Sequence, residues 1–245
     1  LGVWFVLFSA LGFTQVIGRY APPLVLSGNN KALRRLFGNL LGVRLVSGTL
    51  AAGLYLLFVL VWLRELDNVF LALTAGAVLL PALANLCYLF FLGLNQAARW
   101  GQGEVIRQWG TLAFLIPGFL WGGLRGAGLA LFLAELAVLA RGLWGIRSYL
   151  SWSSLDVEPR YLIPYLRFGL GFFASNLLLA AFHRSGEAAL RAIVGDYVHV
   201  GYFGVAYSIY LMAPSTMLQL TLAFAPLLTR LHVEGQVEML CIWLE

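Results

Sequence analysis

Charged residues are scarce in this sequence. Asp, Glu, Lys and Arg make up only 11% of the 245 residues, and 61% of the residues are hydrophobic. A water-soluble domain usually carries about 25% charged residues, so too few ionic groups are present here to cover a water-facing surface. The scarcity of charge excludes a soluble enzyme, and the high apolar content excludes a disordered chain. A protein that crosses a membrane several times remains.

Groups that carry catalysis or bind metals are also few. The three histidines are scattered, and the two cysteines, Cys87 and Cys241, belong to no set with metal-ligand spacing. The sequence has neither a Gly-rich phosphate loop followed by Lys and Ser or Thr nor a serine elbow or triad. We therefore expect no enzyme, no catalytic residue, no metal and no cofactor. The net charge of +5 indicates loops held on the cytoplasmic side of a membrane, not nucleic acid.

Long apolar runs dominate what is present. A helix needs about 20 mostly apolar residues to cross the hydrocarbon core. Seven stretches approach this length, near residues 1–26, 40–63, 69–94, 109–121 with its flanks, 126–143, 168–195 and 202–228. The runs are continuous and do not alternate with polar residues, which argues against strands. The sequence therefore predicts an all-α, polytopic transmembrane helical bundle of about seven spans.

The basic residues of the predicted connections alternate along the chain. The odd-numbered connections hold ten Lys and Arg residues and the even-numbered ones hold two. Lys and Arg concentrate in cytoplasmic loops, so this pattern places the odd connections in the cytoplasm and residue 1 outside. We expect a multi-pass protein of the cytoplasmic (inner) membrane of a prokaryote. Because the chain starts on apolar Leu1 and ends at Glu245 in a helix-like stretch, we expect a fragment that lacks its first helix.

The sixth predicted span carries one polar face. At 100° per residue, Asn176, Arg184, Glu187 and Arg191 fall within an arc of about 80° on an otherwise apolar helix. A charge facing lipid at mid-span costs roughly 2.5–3.5 kcal/mol, so such residues tend to face a cavity or a partner. This face predicts a cavity-lining helix. The alternative is that the span ends at Phe182 and the charges lie at the membrane interface.

Four other polar residues lie in predicted spans, each with two interpretations. Arg19 faces a cavity or extends to the inner interface, and Arg44 faces a cavity or belongs to an amphipathic cytoplasmic segment. Asn85 follows Pro81 by one turn, and it marks either a transporter-like helix break or an ordinary bond to a neighbouring helix. Glu135 either pairs with an arginine or carries a proton.

The connections assigned to the outside, 64–68, 122–125 and 196–201, are only four to six residues long. Small residues gather around the second of them and predict a tight turn between closely packed helices. These residues are Gly122, Gly123, Gly126 and Gly128. The largest connection, 141–167, is cytoplasmic and indicates a linker between five spans and two.

Several motifs in residues 167–231 match a known family. They are Arg167-Phe168-Gly169, Asn176, Arg184, Gly201-Tyr202-Phe203, Ala206-Tyr207, Ala225-Pro226 and Arg230-Leu231. The segment resembles the seventh and eighth helices of polysaccharide flippases, the O-antigen and lipid-linked-oligosaccharide transporters of the multidrug/oligosaccharidyl-lipid/polysaccharide superfamily. Near the start, Ile17-Gly18-Arg19-Tyr20, Ser27-Gly28-Asn29 and Arg34-Arg35 look like the family's second helix and the loop after it. On this mapping the chain covers helices two to eight.

The resemblance implies a two-lobe flippase fold with a central cavity. Residues 1–147 would form the first transmembrane lobe, residues 148–164 a cytoplasmic linker, and residues 165–245 the start of the second lobe. The implied activity is flipping of a polyprenyl-pyrophosphate-linked oligosaccharide, such as an O-antigen unit, across the cytoplasmic membrane by alternating access. The family usually has Asp, often followed by Arg, near the position of Glu187, and Glu187-Ala188 departs from that pattern.

A pyrophosphate headgroup is polyanionic, and arginine offers it a two-pronged hydrogen-bond donor. The expected substrate-binding residues are Arg184, Arg191, Glu187, Asn176, Arg44, Arg19 and Asn85. The expected partners are the lipid-linked oligosaccharide, the lipid bilayer and a polysaccharide polymerase or ligase, with no nucleic acid.

Two other functions remain open. A multidrug or cation antiporter of the same superfamily would need carboxylates facing its cavity, and Glu135 and Glu187 are the candidates. A membrane glycosyltransferase or O-antigen ligase would need sizeable outer loops for its catalytic groups, and the short outer connections argue against it.

Overall fold

The computed structural model describes residues 2–62, 67–149, 158–195 and 197–235. All regular structure in those ranges is helical, which confirms the predicted all-α class. The helices are α1 Gly2–Ala10, α2 Phe13–Leu26, α3 Asn30–Trp62, α4 Asn68–Gly93, α5 Ala97–Ile146, α6 Pro159–Val194 and α7 Tyr197–Val233.

Four helical segments are long and apolar enough to cross a membrane by length and composition. They are Asn30–Val61, Asn68–Gly93, Ala97–Ile146 and Arg160–His183. Their outer faces are strongly apolar: Leu50, Leu54 and Leu57 of α3 are exposed, and Trp121 of α5 is 95% exposed. Exposed side chains of this kind are stable against lipid and not against water, so the fold is compatible with a multi-pass membrane protein.

The first predicted span is not a single helix. It breaks at Leu11 and Gly12, whose φ angles are +46° and +70°, and leaves the short helices α1 and α2. The break lies against the backbone of α6, because a Cβ added to Gly12 would be 2.0 Å from the carbonyl oxygen of Gly169. The prediction of one continuous helix over 1–26 was therefore wrong. The length of an apolar run does not reveal where a glycine lets the backbone of another helix come close.

The longest helix, α5, is a hairpin of two arms. Gly123 has φ 55° and ψ −134°, which interrupts the helix between residues 97–122 and 124–146. The arms run back along each other with almost no space between them: a Cβ on Gly126 would be 1.7 Å from the Gly118 oxygen, and one on Gly110 would be 3.5 Å from Cβ of Ala134. The arms correspond to the fourth and fifth predicted spans, and the predicted tight turn is confirmed.

The fourth predicted span, 109–121 with its flanks, is part of a longer helix. Helix α5 begins at Ala97, so residues 97–108 are helical and Arg107 lies within the first arm. A helix confined to residues 109–121 would be too short to cross the hydrocarbon core, and the added turns supply the missing length.

Polar contacts link residues from predicted cytoplasmic connections to one another, and a separate contact links two predicted outer connections. Arg35 of α3 forms an ion pair with Glu158, just before α6, and Arg141 donates a hydrogen bond to Gln102 Oε1 at 3.4 Å. Arg125 Nε lies 2.7 Å from Asp67 Oδ2, which joins the two connections predicted to face outside. Arg64 lies outside the described residues. The grouping agrees with the charge alternation, and the membrane side that each group faces stays a prediction.

The Arg35–Glu158 pair also affects one titration. The hydrogen bond from Arg35 holds the pKa of the Glu158 carboxyl below its usual value. The contact therefore contributes at neutral pH and is lost as the pH falls through that lowered pKa. Because both side chains are about half exposed, solvent weakens the pair.

The chain divides into two compact units, Leu1–Leu170 and Gly171–Glu245. The first has an aromatic core that includes Phe13, Phe37, Phe90 and Phe91, all almost completely buried. In the second, the end of α6 packs on the start of α7, where His183 Nδ1 lies 2.6 Å from the Tyr207 hydroxyl. The unit boundary falls inside α6, and the predicted lobes with a linker at 148–164 stay a prediction.

We expect Gly126→Ala to destabilise the first unit. The new Cβ would overlap the Gly118 carbonyl, and overpacking of this kind typically costs about 1–3 kcal/mol. The matched control is Gly122→Ala, because nothing lies within 4 Å of a Cβ at that position. Thermal unfolding of both variants in detergent measures the difference, and equal midpoints for both variants would contradict the close packing of the arms.

Candidate functional site

An ionic cluster lies between α4 and the two arms of α5. Arg107 on the first arm is its centre. Its Nε donates to Glu135 Oε1 on the second arm at 2.8 Å, and its Nη2 donates to Asn85 Oδ1 on α4 at 2.7 Å. Its Nη1 forms an ion pair with Glu104, three residues earlier on the same arm. The side chains of Arg107 and Glu135 are only 17% and 14% exposed.

The cluster lies deep within the helical bundle. Glu135 is equally far from both ends of the second arm, about 16 Å at 1.5 Å per residue. Arg107 is about 15 Å from the start of α5. The hydrocarbon core is about 30 Å thick, so a membrane centred on the arms of α5 would enclose both groups. Ionisable groups at that depth are costly and mark functional sites more often than structural ones.

Tyr88 of α4 packs beside the cluster and between the two arms. Its hydroxyl donates to the carbonyl oxygen of Val138 at 3.3 Å. Glycines make room for its ring, because a Cβ on Gly103 or Gly142 would be 2.6 or 3.2 Å from it.

The cluster bears on the open interpretations of Glu135 and Asn85, and its contacts do not exclude a proton on Glu135. Glu135 pairs with an arginine, as one interpretation held, and Asn85 bonds to a neighbouring helix, as its second interpretation held. Arg107 precedes the apolar core of the fourth predicted span, residues 109–121, so the sequence did not indicate it as a site residue. The signal was available: Glu135 needed a cation, and extending the short fourth span toward Ala97 brings Arg107 into it.

Arg44 is buried at a second position in the first unit and is only 4% exposed. Its Nε donates to the carbonyl oxygen of Ala82 at 2.7 Å, and its Nη1 donates to that of Ser9. Ser9 lies in the last turn of α1, where helix carbonyls lack partners within the helix. Arg44 therefore connects α3 to α1 and α4 and is not part of an exposed amphipathic segment.

Of the remaining predicted site residues, Arg19 lies on α2 and the others lie on α6. Arg19 is exposed on α2, and its guanidinium lies 4.7 Å from the ring centre of Phe168. Asn176 is exposed on α6. Arg184, Glu187 and Arg191 belong to the continuous backbone of α6, but their side chains lie outside the described residues.

No protein-family model, curated protein or solved structure matches this chain. The resemblance to polysaccharide flippases therefore stays a prediction. What can be said about function rests on the residues and their geometry.

We expect Arg107→Leu to destabilise the first unit more than Arg107→Leu combined with Glu135→Leu. The single change leaves a buried carboxylate without its cation, which typically costs about 3–5 kcal/mol, whereas the double change removes both charges. Unfolding in SDS–detergent mixtures, followed by circular dichroism, compares the variants with Glu135→Leu in a double-mutant cycle. Additive effects would show that the two side chains do not interact.

We also expect Arg44→Met to lower stability by about 1–3 kcal/mol. Methionine fills the space but leaves the Ser9 and Ala82 carbonyls without the guanidinium donors. Arg34→Met removes the same charge from an exposed position on the same helix and serves as the control. The same unfolding measurement applies, and an Arg44→Met variant as stable as its control would show that these carbonyls do not need Arg44.

Proposed function

We propose that the chain belongs to a multi-pass transporter that flips polyprenyl-pyrophosphate-linked oligosaccharides across the cytoplasmic membrane. The observation that carries the proposal is the continuity of α6, a single helix from Pro159 to Val194. Positions 176, 184, 187 and 191 therefore share one face of one helix, which supports the predicted polar stripe. The segment of α6 that is long and apolar enough to cross a membrane is Arg160–His183, so the alternative that the span ends near Phe182, with the charges at the interface, stays open.

The chemistry of this stripe suits a diphosphate. Each arginine presents a planar fork of donors to phosphate oxygens, and such charge-assisted bonds are about twice as strong as neutral ones. Arg184 and Arg191 are seven residues apart, about 10 Å along the helix, so a headgroup and its first sugar could lie between them. The glycan would occupy a polar cavity while the polyprenyl chain stays in lipid.

Three arginines at or near the predicted cytoplasmic connections support the binding of such a headgroup: Arg19, Arg141 and Arg147. The guanidinium groups of Arg141 and Arg147 lie 5.0 and 5.2 Å from the ring of Trp144, and that of Arg19 lies over Phe168. Within the described residues none of these three arginines has a carboxylate ion-pair partner. A guanidinium held by a ring face keeps donors free at its edge for a phosphate.

The second candidate is a proton-coupled cation antiporter of the same superfamily. One observation favours it: Oε2 of the Glu135 carboxylate is buried and has no hydrogen-bond partner within the part of the chain that the structure describes. A carboxylate of this kind could exchange a proton for a cation. The excess of arginine within and around the spans favours an anionic substrate, so we place this function second.

The test is flipping of a fluorescent polyprenyl-pyrophosphate-linked oligosaccharide by the full-length protein in proteoliposomes, read by quenching from outside. We expect Arg184→Ala and Arg191→Ala each to slow flipping about tenfold or more, because a lost charge-assisted bond costs about 1.5–3 kcal/mol. Arg34→Ala, at an exposed position, is the control and should flip at the wild-type rate.

Normal flipping by both stripe variants would overturn the role of the stripe. The antiporter would be favoured by two results obtained together. The wild-type protein would not flip the lipid-linked oligosaccharide, and the same vesicles would show proton-driven uptake of a cationic dye.

A further inference from the structure

The two oxygens of Glu135 have different surroundings. Oε1 accepts the hydrogen bond from Arg107, whereas Oε2 is buried and bonds to nothing in the part of the chain that the structure describes. A buried carboxylate oxygen without a partner is expensive to keep ionised, because neither water nor a donor compensates its charge. This oxygen is therefore the place where a proton would relieve the greatest cost.

The formal charges of the cluster do not balance. One guanidinium, Arg107, serves two carboxylates, Glu104 and Glu135, so the ionised cluster has one negative charge in excess. Asn85 only accepts from Arg107 and adds no charge. Binding of one proton makes the cluster neutral, and neutrality is strongly favoured where the surroundings are apolar.

A comparison of the titratable groups around the cluster indicates that Glu135 is the one that takes the proton. On α4 the titratable neighbours are Cys87 and Tyr88, which are neutral in their ordinary state, and Tyr88 uses its hydroxyl on Val138. On the first arm of α5 the ionisable groups near this level are Glu104 and Arg107. Of the two carboxyl groups, Glu104 and Glu135, only Glu135 has an oxygen that is buried without a hydrogen-bond partner within the described residues, so a proton relieves a greater cost there than on Glu104.

We infer that Glu135 is a reversible proton-binding site within the first unit, with Arg107 as the residue that positions it. When Oε2 is ionised, Arg107 is shared between Glu135, Glu104 and Asn85. When Oε2 is protonated, the attraction between Arg107 and Glu135 weakens, and Arg107 keeps Glu104 and Asn85 as partners.

Protonation would therefore loosen a contact between the two arms of α5. Their packing is closest near the turn, at Gly118 and Gly126, and the cluster is the ionic contact that joins the arms farther from it. The site thus links the proton occupancy of one carboxyl to the spacing of two helices. This inference does not depend on the substrate that the protein transports.

The test is infrared spectroscopy of the purified full-length protein in lipid nanodiscs during a pH titration. Protonated carboxyl groups give a carbonyl stretching band that ionised groups lack. We expect the wild-type protein to show such a band, reversible with pH, that is lost in Glu135→Gln and kept in the control Glu158→Gln, whose carboxylate pairs with Arg35 outside the cluster. Glu135→Asp keeps a carboxyl group at the same position, so its band should remain with a shifted frequency.

Arg107→Met gives a readout that a merely structural role would not change, since it should shift the pH midpoint of the Glu135 band. If Glu135→Gln does not fold, the frequency shift in Glu135→Asp still identifies the band. The inference would be overturned if wild type, Glu135→Gln and Glu135→Asp showed the same carboxyl bands at every pH at which the protein stays folded. No step requires transport, so the result stands apart from the flipping experiment.

Discussion

A guanidinium buried among apolar helices needs hydrogen-bond acceptors from the protein, because lipid supplies none and water is excluded. The first unit meets this need twice, in two different ways. Arg44 uses neutral backbone carbonyls of Ser9 and Ala82, whereas Arg107 uses the side chains of Glu104, Glu135 and Asn85. The helices that these contacts join cannot separate without leaving a charge unpaired. The arrangement of α1, α3, α4 and α5 therefore depends on where these two arginines find their partners.

Glycines make those contacts possible by allowing backbones to approach closely. The arms of α5 meet at Gly118 and Gly126, and α6 meets the break between α1 and α2 at Gly12 and Gly169. Helices in lipid gain little from burying apolar side chains against each other, so close approach and polar contacts provide much of their association. Short distances at the glycines bring Glu135 and Arg107 within hydrogen-bond reach farther along the same arms.

The sequence predicted the helical class, the turn around Gly123 and the grouping of the basic connections, since each follows from composition, apolar length or charge. It did not predict the break at Gly12, because the cause is contact with Gly169, about 150 residues away in the chain. It flagged Glu135 and Asn85 as polar residues in apolar spans, but it could not identify Arg107 as their shared partner. That partner depends on helix register across α5, and a shift of a few residues moves Arg107 from a connection into the bundle.

The two buried arginines differ in what they allow the molecule to do. The carbonyl oxygens that hold Arg44 do not titrate, so the contact between α1, α3 and α4 keeps the same charge at every physiological pH. The carboxylates that hold Arg107 outnumber it, so the contact between α4 and the arms of α5 can gain or lose a proton. The proposed transporter would need one part that stays fixed and another whose charge can change. In this unit the carbonyl-bound arginine suits the fixed part, and the boundary between α4 and α5 is where a change of charge can become a change of helix position.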